Sequence, residues 1–378
     1  MTQGILPPLP PLEPLKRISP SQFPIFRKCK LRAIWSSCHA QALLPLPPSA
    51  RLGIIIHKIL EKAGKGDITG EDSFNSLWLS CVQEEENDMS GSWMEKHLVP
   101  LEKSAHNFEV KKQQCILLVR NLMSAFSHQS GKADSSKRAS HEVWLQTPDG
   151  KVGGYVDAII STDAGDVIID FKTGSIAESE EQASFDPEVR YDYRIQAKLY
   201  AALYNSMYGK WPASIELVGL DGVPRTIPFY QEECPCLLDE ARQLLNDINF
   251  VITNKAKNYE SALSNLASPN PGVCQFCLYR PCCPSYWEKR GTEPERDWPH
   301  DAKGKLKEIK KLRNGFMLIK LISDPQNSNI ITVRGLHPDR HPALNKTLDE
   351  VLVFSMIPGK VTNNYGEGKL TTIYAGAD

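Results

Sequence analysis

Three residues able to support catalysis lie in one short stretch of the chain, Val152–Gly174, which has the sequence VGGYVDAIISTDAGDVIIDFKTG. Asp157 lies in its first apolar run, Asp170 in its second, and Lys172 follows Asp170 by two residues. Charged groups are costly in a half-buried sheet unless they bind something. Two carboxylates and an ammonium group suit a hard divalent cation with a phosphate beside it. The stretch therefore predicts metal-dependent phosphodiester chemistry.

The same stretch predicts the β-hairpin that would position these groups. The apolar runs Val152–Ile160 and Val167–Phe171 flank a polar link that contains Gly165, which is a hairpin signal. Side chains alternate along a strand, so Asp170 and Lys172 should share one face while the apolar residues between them point into a core.

Two predicted helices carry further candidates. Residues 52–63 form the first, and a lone histidine such as His57 on it is usually structural; as a metal ligand it depends on the carboxylates downstream. Residues 192–208 form the second, where Gln196 and Tyr200 lie four positions apart on one face. Pairs with that spacing usually pack against a neighbour.

A cysteine-rich segment, CQFCLYRPCCP, contains Cys274, Cys277, Cys282 and Cys283. A C-x2-C pair followed five residues later by another cysteine and a proline predicts a metal site. Four thiolates suit a zinc ion or a cubane iron–sulfur cluster, and this segment supplies three at suitable spacing plus a spare. Cys29 is the natural distant fourth ligand. Zinc and unligated thiols are the alternatives to iron and sulfur.

The N-terminal region is predicted to contain a proline-rich lead-in, residues 1–18, followed by a helix. Ser19 would be its N-cap, Pro20 its first helical residue and Gln22 the partner in a capping box. The helix would continue through Cys29 and Leu31.

The bulk composition narrows the class of protein. A chain of 378 residues with 41% hydrophobic content predicts two or three domains. The net charge of -1 gives no global basic excess, so any nucleic-acid surface must be local. The sequence contains no run of about twenty apolar residues, so we expect no membrane span. The N-terminus lacks the features of a signal peptide. We expect a cytoplasmic protein whose ten cysteines are thiols or metal ligands.

Two further regions complete the predicted domain organisation. Residues 71–130 are predicted as a helical insertion, and residues 301–378 as a small β-barrel of the OB-like type. Lysines at the start of that barrel predict a solubilising face or a binding site about equally. The five strands predicted for the barrel are Lys305–Ile309, Phe316–Ile322, Ile330–Gly335, Val351–Met356 and Leu370–Tyr374.

Several motifs together resemble the RecB-like branch of the PD-(D/E)XK nucleases, in particular its iron–sulfur members such as the AddB nuclease domain and the CRISPR-associated exonucleases. The motifs are, in order, SPSQF, RKCKLR, GIIIHKIL, GGYVDAII, IIDFKTG, QAKLY and CQFCLYRPCCP. The resemblance implies an α/β fold with a restriction-endonuclease-like core, a mixed central sheet flanked by helices, over residues 19–290.

The resemblance also implies roles for individual residues. It makes His57, Asp157 and Asp170, with the backbone carbonyl of Phe171, the ligands of Mg²⁺ or Mn²⁺, and it makes Lys172 the group that positions or activates water. Gln196 and Tyr200 would support catalysis by engaging DNA. The implied 4Fe-4S cluster ligands are Cys29, Cys274, Cys277 and Cys283. Two features depart from the family pattern: Gly154-Tyr155 replaces a basic-aliphatic pair, and Cys282 is an extra thiol.

The resemblance implies a metal-dependent DNA nuclease, either an exonuclease or an enzyme that processes DNA ends or single strands, acting in repair, recombination or antiviral defence. No G-x-x-x-x-G-K-[ST] motif occurs, so a helicase or other ATPase partner would be a separate chain. The alternatives are a catalytically inactive DNA-binding or scaffold subunit and an RNA nuclease.

Overall fold

The computed structural model consists of helices packed around one sheet, followed by a second sheet near the C-terminus. It describes residues 3–127, 139–177, 189–254, 259–293, 297–324, 329–345 and 349–376. Throughout these ranges, no helix is both long and apolar enough to cross a membrane. Residues 128–130 of the predicted helical insertion lie outside the described residues.

Most helices lie before the second sheet. The α-helices of the described residues are α1 Phe23–Lys28, α2 Lys30–Ser37, α3 Pro48–Gly64, α4 Glu71–Gly91, α5 Leu101–Ser104, α6 Phe108–Ser127, α7 Tyr191–Tyr208, α8 Glu233–Asn254, α9 Tyr259–Leu266, α10 Pro271–Cys274 and α11 Pro284–Thr292.

The strands fall into two groups along the chain. The first group is β1 Ala139–Gln146, β2 Gly153–Thr162, β3 Gly165–Lys172, β4 Ser214–Gly219 and β5 Pro224–Thr226. The second group is β6 Ala302–Lys311, β7 Met317–Asp324, β8 Asn329–Leu336, β9 Glu350–Phe354, β10 Ile357–Pro358, β11 Asn364–Gly366 and β12 Thr372–Ala375.

The first sheet confirms the predicted hairpin and places it at the centre of a mixed sheet. Its strand order is β1-β2-β3-β4-β5. Strands β1, β2 and β3 are antiparallel neighbours, and β4 runs parallel to β3 after the crossover helix α7. At the β2–β3 turn Gly165 has a φ of +118°, a conformation that favours glycine.

Helices cover both faces of this sheet, as the predicted α/β class requires. One core joins the sheet to α1, α2, α7 and α8, and the other joins it to α3, α4 and α6. Consecutive residues of β3 serve opposite cores: Ile168 belongs to the α7 core, and Ile169 and Phe171 belong to the α3 core. This alternation fixes which side chains of β3 remain for chemistry.

The predicted N-terminal helix is wrong in two details. The predicted capping contact is present, since the Gln22 amide donates to Ser19 Oγ at 3.3 Å, but residues 20–22 form a turn and helix α1 starts at Phe23 rather than Pro20. The helix also stops at Cys29, whose backbone is extended (φ -157°, ψ 106°), and α2 begins at the next residue. A single extended residue therefore interrupts the helix at the cysteine.

The C-terminal strands form one curled half-barrel sheet. Its order is β10-β11-β8-β7-β6-β9-β12, so the described strands leave β10 and β12 as edges where a closed barrel would pair them. The prediction found five of these seven strands and missed β10 and β11, which are only two and three residues long. The N-terminal segment reaches this sheet through a bridge between Ile5 and Ala375.

A buried ion pair links the cysteine-rich segment to the second sheet. Arg280 Nε donates to Asp301 Oδ2 at 2.6 Å, and both side chains are almost completely buried. Asp301 also accepts from Tyr286 Oη at 2.7 Å and from the amide of Ser355 at 2.7 Å. These bonds satisfy both charged groups, as burial requires.

Candidate active site

The two acids of the hairpin lie where β2 and β3 separate. The last paired residues toward the site are Ala158 and Ile169. Asp157 and Asp170 come next and are not paired with each other through their backbones. Instead, Asp157 Oδ2 accepts a hydrogen bond of 2.6 Å from the amide of Phe171 on β3. Both carboxylates are thereby held at one end of the hairpin.

Asp170 is buried and shares its surroundings with Lys172 and Gln196. Lys172 Nζ lies 2.5 Å from Asp170 Oδ2. Gln196 on α7 donates from Nε2 to Asp170 Oδ1 at 3.1 Å and accepts from Lys172 Nζ at 2.8 Å. The ion pair lacks hydrogen-bond geometry, so Asp170 Oδ2 is a buried oxygen without a hydrogen bond. The predicted common face of Asp170 and Lys172 is confirmed.

Asp157 has an altered acidity that follows from its position. Burial, together with the negative charge of Asp170, raises its pKa from 3.8 to about 7. The hydrogen bond from Phe171 and the charge of Lys172 act in the opposite direction, and Glu142 adds further repulsion. A carboxyl group that titrates near neutrality, opposite a second carboxylate, is typical of functional sites.

His57 lies on α3, on the other side of the acids. Burial lowers its pKa, Lys172 lowers it further, and Asp170 opposes both, so His57 is close enough to sense both charges. It lines a cavity of about 270 Å³ together with Glu61, His141, Glu142 and Asp157. At neutral pH the imidazole is therefore uncharged and able to bind a cation.

No role was predicted from the sequence for His141 or Glu142. Both lie on β1 and line this cavity. Gly64 makes room for the ring, since a Cβ atom there would lie 2.4 Å from His141 Nδ1. Glu142 has a φ of +49°, unusual for a residue other than glycine, and Lys65 Nζ lies 2.6 Å from its Oε2. The adjacent His-Glu pair was the only sequence signal.

Tyr200 lies behind β2 rather than in the cavity. Its Oη donates to the backbone carbonyl of Tyr155 at 2.6 Å, and only 3% of the residue is exposed. Burial raises its pKa, and the charges of Asp170 and Asp157 raise it further. The two predicted residues of α7 therefore have different contacts. Gln196 bonds to Asp170, and Tyr200 bonds to the backbone of the strand that carries Asp157.

A comparison with protein families identifies this arrangement. Residues 17–284, well over half of the chain, match the family described as the PD-(D/E)XK nuclease superfamily. The chain belongs to the PD-(D/E)XK nuclease superfamily. The match includes the hairpin acids, the lysine, the helix with Gln196 and the whole cysteine-rich segment.

Two solved structures resemble this PD-(D/E)XK chain at low sequence identity. One is the crystal structure of a "putative exonuclease" from Eubacterium rectale, with 11% identity and a TM-score of 0.37, covering 68% of this chain and 90% of that one. The other is SSO0001, with 14% identity and a TM-score of 0.24, covering 53% of this chain and 96% of that one. No curated protein matches the sequence.

PD-(D/E)XK nucleases typically use Mg²⁺ or Mn²⁺, and the donor types at this site fit such an ion. The carboxylate oxygens of Asp157 and Asp170 are the hard ligands these ions prefer, and Asp170 Oδ2 is buried without a hydrogen bond. Across the described ranges, however, no three His, Cys, Asp or Glu side chains are already arranged to hold a metal ion. Lys172 instead supplies the positive charge beside Asp170.

The predicted cysteine ligands interact electrostatically, although no three of them are arranged to hold a metal ion in the part of the chain that the structure describes. Burial raises the pKa of Cys283, and the charges of Cys277, Cys29 and Cys274 raise it further. Burial likewise raises the pKa of Cys274 and of Cys277, and the charge of Cys29 raises both further. Burial raises the pKa of Cys282, the extra thiol, and Cys277 is the one thiol whose charge raises it further. Cys282 Sγ donates to the Tyr279 carbonyl at 3.3 Å. All ten cysteines are free.

Proposed function

We propose that this chain is a divalent-cation-dependent deoxyribonuclease that acts on DNA ends or single-stranded stretches. One observation carries the proposal: Asp157, Asp170, Lys172 and Gln196 converge at the separated ends of β2 and β3 in a PD-(D/E)XK chain. A protein that only binds DNA has no need to bury two acids and a lysine together.

The cation ligands proposed are His57, Asp157, Asp170 and the backbone carbonyl of Phe171. The two carboxylates suit Mg²⁺ or Mn²⁺, and the imidazole is compatible with Mn²⁺ in particular. A cation of this kind, when bound, polarises the scissile phosphate and lowers the pKa of a bound water. We expect the cation to compete with Lys172 for Asp170, because both neutralise the same carboxylate.

Lys172 and Gln196 have separate proposed roles. Lys172 orients the attacking water or stabilises the negative charge that develops on the phosphate oxygens. Gln196 bonds to Lys172 through its carbonyl oxygen and to Asp170 through its amide, so it holds the two groups in register. Tyr200 fixes the backbone of β2 beside Asp157 through its hydrogen bond to Tyr155.

A structural 4Fe-4S cluster is proposed at Cys29, Cys274, Cys277 and Cys283, since Cys29 contributes to the raised pKa of each of the other three. It would join segments separated by most of the chain, and closing so long a loop favours the folded state. The extended backbone at Cys29 supports this role, because it interrupts a helix at the residue in question. Zinc is the alternative occupant.

The wider context of the enzyme follows from the same features. The free cysteines support a reducing compartment, and we propose the cytoplasm. A separate helicase or ATPase is the proposed partner, in DNA repair, recombination or antiviral defence. We propose residues 19–290 as the nuclease domain, with a helical insertion at 71–130, and residues 301–378 as a second domain that holds DNA or docks the partner.

A catalytically inactive DNA-binding subunit is the second candidate. The observation that favours it is the ion pair of Asp170 with Lys172, which satisfies the acid without a cation. RNA as the substrate is the third possibility. A nuclease assay on linear, circular and single-stranded DNA and on RNA, first in EDTA and then with Mg²⁺ or Mn²⁺, separates the three. Cation-dependent loss of DNA supports the proposal; binding without cleavage under every condition would refute it.

A further inference from the structure

An aromatic pair with one exposed ring lies next to the acids and has no part in the proposed chemistry. Trp144 on β1 and Tyr155 on β2 are directly opposite in the strand register. Their ring centroids are 4.8 Å apart, with the rings inclined by 64°. Tyr155 is nonetheless 61% exposed. Cross-strand aromatic pairs stabilise sheets, but that role does not require a large ring to stay in water beside an active site.

The tyrosine lies on the cavity side of the sheet. Val156, the next residue, belongs to the α7 core, so Tyr155 leaves the opposite face, toward the cavity that Asp157 lines. Tyr155 and Asp157 are two positions apart, or about 7 Å along the strand. A base attached next to a phosphate at the carboxylates can therefore reach the ring of Tyr155.

Two neighbouring features hold the indole of Trp144 in place. The Arg17 guanidinium lies 4.9 Å from the Trp144 ring centroid, and the backbone anchors Arg17 because the next residue, Ile18, pairs with Val152 in a bridge. Gly153 leaves space for the indole, since a Cβ there would lie 3.1 Å from Trp144 Cζ2. Arg17 is exposed and adds a positive charge to the surface.

We propose that Tyr155, supported by Trp144, is a stacking platform for an unpaired nucleobase, and that Arg17 contacts the backbone phosphate beside it. Stacking on an aromatic ring accepts any base, because every base has a π face, and it requires a base that is not already stacked in a duplex. The platform would select a single-stranded stretch as the substrate. This inference rests on the proposed nuclease function, since it names the strand presented to Asp157 and Asp170.

Binding measured in EDTA tests the platform without cleavage. The probes are fluorescein-labelled oligo(dT), oligo(rU) and a blunt DNA duplex, followed by fluorescence anisotropy. We expect Tyr155→Ala to weaken oligo(dT) binding about tenfold or more, and Tyr155→Phe and Tyr155→Trp to remain within about twofold. Tyr230, which is 72% exposed beyond the opposite sheet edge, provides the control Tyr230→Ala, with unchanged binding.

Two further variants guard against a merely structural effect. Tyr155→Leu fills much of the same space without a π face, so we expect affinity close to that of Tyr155→Ala. Trp144→Phe should reduce the quenching of tryptophan fluorescence by oligo(dT). Equal oligo(dT) affinity for wild type, Tyr155→Ala and Tyr155→Leu would overturn the platform, as would equal weakening on the duplex. A matching loss on oligo(rU) supports stacking for either sugar.

The two proposals can fail separately. Absence of cleavage by the wild-type protein with Mg²⁺ or Mn²⁺ would refute the nuclease, whatever the anisotropy results. Cleavage with wild-type rates on single-stranded DNA in Tyr155→Ala, together with unchanged binding, would overturn only the platform.

Discussion

Lys172 Nζ lies 2.5 Å from Asp170 Oδ2, so the water-positioning lysine and the cation-binding acid of the proposed mechanism neutralise each other. Both side chains are nearly buried, which makes their interaction strong. Binding of a divalent cation at Asp170 adds charge beside an existing ammonium group. The lysine therefore has opposite effects on the two steps: it opposes cation binding and supports hydrolysis.

Replacement of Lys172 should separate those two effects. We expect Lys172→Met to bind Mn²⁺ about tenfold more tightly, because a nearby positive charge is removed, and to lose cleavage. Isothermal titration calorimetry and a nuclease assay measure the two quantities. Lys210→Met is the control, since Lys210 is an exposed lysine paired with Asp166. Weaker Mn²⁺ binding by Lys172→Met would show that the lysine and the cation do not compete.

The two polar residues of α7 should differ in importance. Gln196→Leu removes the hydrogen bonds to both Asp170 and Lys172, and we expect cleavage to fall about 10- to 100-fold. Tyr200→Phe removes one hydrogen bond to a backbone carbonyl, with an expected cost of about 1 kcal/mol in unfolding free energy and a smaller effect on cleavage. Steady-state kinetics and urea unfolding distinguish them; equal kinetic losses would contradict the assignment.

The pKa of Asp157 predicts how stability depends on pH in EDTA. Its folded-state pKa of about 7 lies above its ordinary 3.8, so the folded protein binds more protons between these values. The free energy of unfolding should therefore fall as pH rises from about 4 to about 7. Asp157→Asn keeps the acceptor for Phe171 and removes the charge, so it should be more stable than wild type at pH 8, by the order of 1–4 kcal/mol.

Urea unfolding of both proteins at pH 5 and pH 8 measures this difference. We expect the advantage of Asp157→Asn to shrink at pH 5, where the wild-type carboxyl is already protonated in the folded state. An advantage that is the same at both pH values would mean that burial of the Asp157 charge is not its cause.

The adjacent cysteines Cys282 and Cys283 provide a matched pair. Only Cys283 interacts electrostatically with Cys29, Cys274 and Cys277 together. We expect Cys283→Ser to lose bound metal and much of its resistance to urea, and Cys282→Ser to retain both. Iron, sulfide and zinc analysis of anaerobically purified protein gives the metal and its identity. Equal metal content in the two variants, or no metal in the wild-type protein, would refute the proposed cluster.

Local sequence patterns were sufficient to predict the hairpin and the shared face of Asp170 and Lys172. The alternation around Asp170 predicted the shared face with Lys172, because a strand has a period of two. The sequence could not reveal that Gln196 bonds both residues, since that contact depends on how α7 crosses the sheet. Nor could it show that Tyr200 lies behind β2, because the same helical spacing suits packing and catalysis equally.

Long-range geometry explains the remaining differences. Glu142 and His141 join the cavity only because β1 pairs with β2 beside Asp157. The interruption of the helix at Cys29 carries no glycine or proline signal, because its neighbours are Lys28 and Lys30. Strands β10 and β11 were missed because two or three residues are too few to show a strand pattern in the sequence.

Cleavage of linear DNA by Asp170→Asn tests the central claim most directly. The substitution keeps the shape of the side chain and removes the charge that pairs with Lys172. Asp166→Asn, on the same strand but bonded to Lys210 and Ser161, is the control. With Mg²⁺ or Mn²⁺ present, we expect the wild type and Asp166→Asn to degrade DNA and Asp170→Asn to be slower by at least about 10²- to 10³-fold. Wild-type rates in folded Asp170→Asn would contradict the account.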